Sequence, residues 1–260
     1  MLVDTHCHIN FETYDDDRVE MIERAMEEGV RRLVCIGMQP EGARSALKLA
    51  RKYPGRIFTS AGIHPYDALT CTPEILAELE ALLAEPEMVL CGEMGLDTVK
   101  ADVPMPAQEH AFAEQLKLAQ RTNKPVCIHS RDAFQQVRKV IEQVGAPARG
   151  GFAHCFSDGW EEAQAWVELG FKISFAGQIT FENKSCEPLR EAARRLRPED
   201  VVVETDSPFL SPHPKRGRRN EPSHVRHTAN KLAELWDMPV AEVEAITTRN
   251  ACEVLGIPFE

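Results

Sequence analysis

Short apolar runs alternate with longer amphipathic stretches from one end of this 260-residue chain to the other, and nothing constrains its fold more. The strand-like runs are Leu2–His6, Leu33–Ile36, Ile57–Ala61, Met88–Gly92, Val126–His129, Gly151–His154, Lys172–Phe175 and Val201–Glu204. Helical patterns lie between them. Thr72 reads as an N-cap with Pro73 in the first helical position, and Ile75, Leu76, Leu79, Leu82 and Leu83 follow at helical spacing. Phe112, Leu116 and Ala119 mark a second helix, Trp166 and Leu169 a third, and Pro222 to Leu255 reads as two more. Strand–helix alternation implies a parallel sheet, because each crossover returns the chain to the same strand direction. No repeat or linker interrupts it, so residues 1–260 are expected to form one α/β domain. The expectation is a single, distorted (β/α)8 barrel with extra C-terminal helices; the rival is a doubly wound open sheet.

The placement of polar residues favours the barrel. His6 and His8 close the first run in Asp4-Thr5-His6-Cys7-His8, and strand alternation turns Asp4, His6 and His8 the same way. Two imidazoles so placed can grip one metal ion, with Asp4 free to orient a ring through its second nitrogen. Glu93 follows the fourth run, His129 ends the fifth, His154 ends the sixth, and Asp206 follows the eighth. In a parallel barrel these carboxyl ends converge on one mouth. Four imidazoles and two carboxylates exceed what one tetrahedral ion accepts but suit a pair of ions. The expected grouping is His6, His8, Glu93 and Asp206 on one cation, and Glu93, His129 and His154 on the other, with Glu93 as the bridge. The donor set admits zinc, manganese, cobalt or iron, and magnesium is carried as a candidate too.

The ordered motifs resemble the TatD family, metal-dependent deoxyribonucleases within the amidohydrolase-type barrels. They include Asp4-Thr5-His6-Cys7-His8, Ala61-Gly62-Ile63-His64-Pro65 and Gly92-Glu93-Met94-Gly95-Leu96-Asp97. Gln108, Phe112 and Gln115 follow, then Pro125-Val126-Cys127-Ile128-His129-Ser130-Arg131 and His154-Cys155-Phe156. Beyond them come the run from Ser174 to Phe181, Glu204-Thr205-Asp206-Ser207-Pro208 and Arg219-Asn220-Glu221-Pro222. Thr98-Val99-Lys100 stand where relatives often carry aromatic residues, and the loop Ala101–Pro106 is unusual. The resemblance implies hydrolysis of DNA phosphodiesters, with 3′-to-5′ exonuclease behaviour and single strands or 3′ ends as partners. A water acidified by two cations would attack phosphorus, with Glu93 as the bridge; Asp206 either moves the proton or is solely a ligand, with solvent protonating the leaving oxygen. The same ligands also suit ester or amide hydrolysis, including an aminoacyl-tRNA ester, because metal-activated water serves both centres. A non-catalytic metal-bearing scaffold is the reading from a different class.

Around this centre, His64 ends the third strand and is expected to bind phosphate. Arg131 either binds phosphate or pairs with Asp132. Arg219 and Asn220, in the loop after the eighth strand, are expected to contact substrate, with Glu221 holding Arg219 or capping the next helix. Glu204 shares a strand face with Asp206 and supports the ligands or pairs with a buried cation. Cys7 and Cys155 are expected to pack on the opposite face, His110 to lie on the surface, and Trp160, Trp166 and Trp236 to fill the core.

Composition excludes other classes. The net charge of −11 rules out coating nucleic acid by bulk charge, although Lys215-Arg216-Gly217-Arg218-Arg219 is a local basic run. No apolar run approaches the roughly 18–20 residues that span a bilayer. Met1-Leu2-Val3-Asp4 lacks a signal-like basic and apolar start, and eight scattered cysteines form no CxxC pair, so a cytoplasmic protein with no obligate protein partner is expected.

Overall fold

The computed structural model describes residues 1–259. Eight strands pair in parallel and in chain order: β1 (Leu2–Cys7), β2 (Val30–Cys35), β3 (Ile57–Ala61), β4 (Met88–Asp97), β5 (Val126–Arg131), β6 (Gly151–Ala153), β7 (Phe171–Phe175) and β8 (Val201–Val203). An open doubly wound sheet reverses its strand order at a switch point, and this one never does. The ring closes just beyond the short β8, where Asp206 N donates to His6 O (2.9 Å) and His8 N to Ser207 O (2.8 Å). Closure through residues beyond β8 distorts the barrel.

The crossover helices are α1 (Arg18–Glu27), α2 (Pro40–Lys52), α3 (Pro73–Leu83), α4 (Met105–Thr122), α5 (Phe134–Val144), α6 (Trp160–Glu168) and α7 (Glu187–Arg195), followed by α8 (Val225–Trp236) and α9 (Val240–Leu255). The Thr72 hydroxyl accepts from Ile75 N at the start of α3, the cap that the Thr-Pro pair signals. Trp166 is buried against Phe134 and Phe171. None of the described helices is long and apolar enough to cross a membrane.

The interior of the barrel is apolar at one end and polar at the other. Val3, Val34, Leu90, Phe152 and Val202 cluster with Ala251, Cys252 and Leu255 of α9. Asn250 donates to Pro198 O and Val201 O, and Thr248 to Met1 O, seating α9 against the amino ends of β8 and β1. The C-terminal helix therefore stops the floor, and the polar residues gather at the opposite, carboxyl end.

Two irregularities shape that end. In β4 the pairing with β5 slips between Cys91–Val126 and Met94–Ile128, so an extra residue accumulates around Gly92–Glu93. Such a bulge bends a strand and re-aims a side chain. Pairing then continues through Gly95–His129 to Asp97–Arg131, and β4 and β5 run beyond the predicted ends. Gly95 sits at φ +143°, where a Cβ would lie 1.9 Å from His129 O, so only glycine lets the two strands meet there. The second slip falls in β1 between Asp4 and Cys7.

Candidate metal centre

Glu93 occupies the middle of the mouth. Its Oε1 lies 3.0 Å from His129 Nδ1, 3.4 Å from His64 Nε2 and 3.6 Å from His154 Nε2. Its Oε2 lies 3.5 Å from His6 Nε2. His6 Nε2 and His8 Nε2 are 3.2 Å apart, and Asp206 Oδ1 is 3.4 Å from the latter. The expected ligands thus come together from five separate segments of chain. Two groupings, His6–His8–Glu93 and His64–Glu93–His129, each bring three donor atoms within 4.8 Å of one another.

The donor chemistry fits cations. Five imidazole nitrogens turn toward two carboxylates, and ring nitrogens that face each other at 3.2 Å cannot both keep a proton. Shared divalent cations would satisfy these lone pairs. Burial presses His6 well below the usual histidine range, and the neighbouring His154 presses it further, so its ring is neutral as ligation requires. Burial alone would raise Glu93, but His64 and His154 outweigh it and hold the carboxyl well below its usual range. The clusters are consistent with two divalent-metal sites.

A supporting layer fixes most of these rings from behind. His154 Nδ1 pairs with Glu204 Oε1, His129 Nε2 with Asp97 Oδ2 (3.1 Å), and His6 Nδ1 with Cys127 Sγ (3.3 Å). His64 Nδ1 accepts from Tyr66 N at 3.2 Å. The ring of His8 instead stacks on Phe11, with centroids 4.7 Å apart. Such partners set the tautomer and orientation of a ligating histidine. Glu204 fills one of the two roles open to it, whereas Asp97, Cys127 and Tyr66 were not singled out. The signal for Asp97 was there: it stands four residues beyond Glu93 in the same strand, on the face that alternation repeats.

Other expectations are corrected. Asp4 orients no imidazole; its Oδ1 accepts from Thr205 N (2.9 Å) and its Oδ2 from the Thr205 hydroxyl, joining β1 to β8. Burial pushes that carboxyl up to about 8, and the slip in β1 accounts for its departure from simple alternation. His64, expected to bind phosphate, lies against the same cluster, its Nε2 3.4 Å from Glu93 Oε1. Cys7 packs as expected and donates to Val34 O, but Cys155 lines the cavity, because β6 has ended and the backbone turns through φ +49°.

The centre opens into a cavity of about 690 Å³, whose walls include Lys100, Arg131, Phe11, Phe181 and Phe209. Arg131 makes no ion pair to Asp132. Arg219 and Asn220 are not on these walls. Arg219 donates to Asp17 Oδ2 (2.6 Å) and Thr13 O and lies over the Tyr14 ring at 4.5 Å. Asn220 is wholly buried, donating to Thr205 O and Phe209 O and accepting from Glu221 N. Glu221 pairs with Arg24 rather than Arg219.

A family model described as TatD related DNase matches residues 3–256. The chain belongs to the TatD family. It is 41% identical over 257 residues to YabD of Bacillus subtilis (strain 168), an uncharacterized metal-dependent hydrolase, covering 99% of this chain and 100% of that one. It is 34% identical over 265 residues to the 3′-5′ ssDNA/RNA exonuclease TatD of Shigella flexneri serotype 5b, covering 99% and 100%. Among solved structures it is similar to YjjV, a TatD homologue from Escherichia coli K12, with a TM-score of 0.92, 28% identity and coverage of 99% and 98%. A TatD family hydrolase from Entamoeba histolytica shares the fold at a TM-score of 0.85 and 18% identity, with 97% of each chain covered. The chain is therefore a metal-dependent hydrolase of the TatD DNase family, with its centre at the barrel mouth.

Proposed function

We propose that this TatD-family hydrolase shortens single-stranded nucleic acid, DNA foremost, from its 3′ end by cleaving phosphodiester bonds. The observation that carries the reading is the position of Glu93, whose two oxygens face different imidazole groups at the base of a cavity walled by Lys100 and Arg131. The naming of TatD relatives as 3′-5′ ssDNA/RNA exonucleases supports the substrate and polarity.

His6, His8, Glu93 and Asp206 would hold one divalent cation, and Glu93, His129 and His154, with His64 beside them, the other. Bound there, the cations supply Lewis acidity, making water nucleophilic near neutral pH and neutralising phosphate charge. The protein's own groups do the rest. Asp206 is the most exposed carboxylate of the cluster, and in this reading it takes a proton from the attacking water and returns it to the leaving oxygen. Glu204 and Asp97 hold His154 and His129 in place. Lys100 and Arg131 offer charge to the phosphate oxygens from the wall.

The test is turnover by metal-reconstituted protein on 5′-labelled single-stranded DNA, on RNA, and on a panel of carboxylic esters and amides. A ladder shortening from the 3′ end and abolished by chelation is expected. Rapid cleavage of a carbonyl substrate with phosphodiesters left intact would overturn the reading.

A further inference from the structure

With a net charge of −11, this chain as a whole repels a polyanion, so a nucleic-acid strand needs a local route to the cavity. The run Lys215–Arg219 is the obvious source of positive charge, yet Arg219 is engaged with Asp17 and Tyr14. Arg216 is placed differently. Its guanidinium lies over the Phe181 ring, 3.9 Å from the centroid, and Phe181 is part of the cavity wall. Among the described residues only its Nη1 donates, to Ser211 O at 3.2 Å, and the side chain is otherwise exposed, with donors to spare.

The surroundings hold this pair in place. His213 N donates to the Thr180 hydroxyl at 2.9 Å, joining the basic loop to the turn before Phe181, and the Ser211 hydroxyl donates to Lys215 O at 3.0 Å. On the other side, Arg190 donates to Phe181 O. Arg218, two residues further along the same loop, is exposed and makes no ion pair among the described residues. A fixed aromatic ring carrying a guanidinium plane, with a second exposed cation in the same loop, is a surface on which bases stack and phosphates pair without sequence preference.

We infer that Phe181 and Arg216, extended by Arg218, form a ledge that carries the segment of single-stranded nucleic acid lying 5′ of the scissile bond. This deepens the nuclease reading and rests on it.

The test compares a twelve-nucleotide oligothymidylate with the 4-nitrophenyl ester of thymidine 5′-monophosphate, a phosphodiester with no upstream strand. In the Arg216→Ala, Arg218→Ala double variant, KM for the oligonucleotide should rise about tenfold with kcat little changed. The salt dependence of its binding should become shallower by about 1.4, at ~0.7 per lost phosphate contact on a single strand. Hydrolysis of the ester should not change. Arg216→Lys keeps the charge but not the plane, so it should restore the salt slope without restoring the full affinity. An unaltered oligonucleotide KM, or an equal rise for the ester, overturns the ledge. Wild-type protein that hydrolyses neither compound overturns the nuclease reading instead. The ledge then stands or falls on anisotropy of the labelled oligonucleotide with the same variants.

Discussion

His154 Nδ1 lies 2.8 Å from Glu204 Oε1, and both side chains are almost wholly buried beneath the barrel mouth. Burial alone would lower the histidine, but Glu204 and then Glu93 reverse this and push it up to about 10. Glu204 also accepts from Cys155 N and the Ser174 hydroxyl, so its position is fixed from three sides. Glu204→Gln keeps the shape and removes the charge behind His154. Metal affinity should fall about 10–100-fold at one of the two sites, read by metal content across a buffered series. An unchanged isotherm would show that the carboxylate does not tune its histidine.

Asp206 has φ +53°, a conformation asparagine tolerates well, so Asp206→Asn should leave the backbone undisturbed. Its loss as a proton carrier should lower kcat by about 10²–10⁴-fold while the protein still binds metal. Metal titration and steady-state kinetics on one preparation separate the two effects. Wild-type kcat in the variant would remove Asp206 from the chemistry.

Arg219 braces the fold through Asp17 and Tyr14. Its pair with Asp17 and its place over Tyr14 together contribute about 1 kcal/mol at such partly exposed sites. Arg219→Ala should lower Tm by about 2–4 °C and leave oligonucleotide turnover unchanged. The hydrogen bond from Arg219 is the chief reason Asp17 lies below its usual carboxylate range. A carboxylate lowered in the folded state stabilises above its unfolded pKa and loses that contribution as pH falls through the folded value. The gap between variant and wild type should therefore close in acid, as thermal melts from pH 7 downward would reveal.

Asp158 behaves oppositely. Burial, then Glu162 and Asp132, push it up to about 6 from an ordinary 3.8. The folded state holds this proton more tightly, so stability declines as pH rises between those values and the penalty is complete above them. Asp158→Asn should gain about 1 kcal/mol at pH 7.5, after allowance for solvent screening, and nothing near pH 4. Equal gains at both pH values would exclude titration as the cause.

The sequence exposed much of this architecture, because the strand runs and the ligands at their ends obey local rules. The third strand, Ile57–Ala61, has the predicted bounds, and the Thr72 cap is where Thr-Pro signals it. What escaped was set by register and by distant partners. The slip near Gly92 depends on how β4 meets β5, and no alternation along a single strand encodes it. Asp4 looked like a ring-orienting carboxylate until Thr205, 201 residues away, claimed it. The bond from Arg219 to Asp17, 202 residues distant, is equally invisible along the chain. Charge in a loop advertises a need for a counter-charge without saying whose.

Because α9 stoppers the amino end of the barrel, the chamber is a cul-de-sac. A strand cannot be threaded through it, and under the proposed function each nucleotide clipped off would have to leave by the mouth through which the polymer entered. Degradation on this scaffold should proceed by repeated release and recapture, leaving a broad distribution of intermediate lengths.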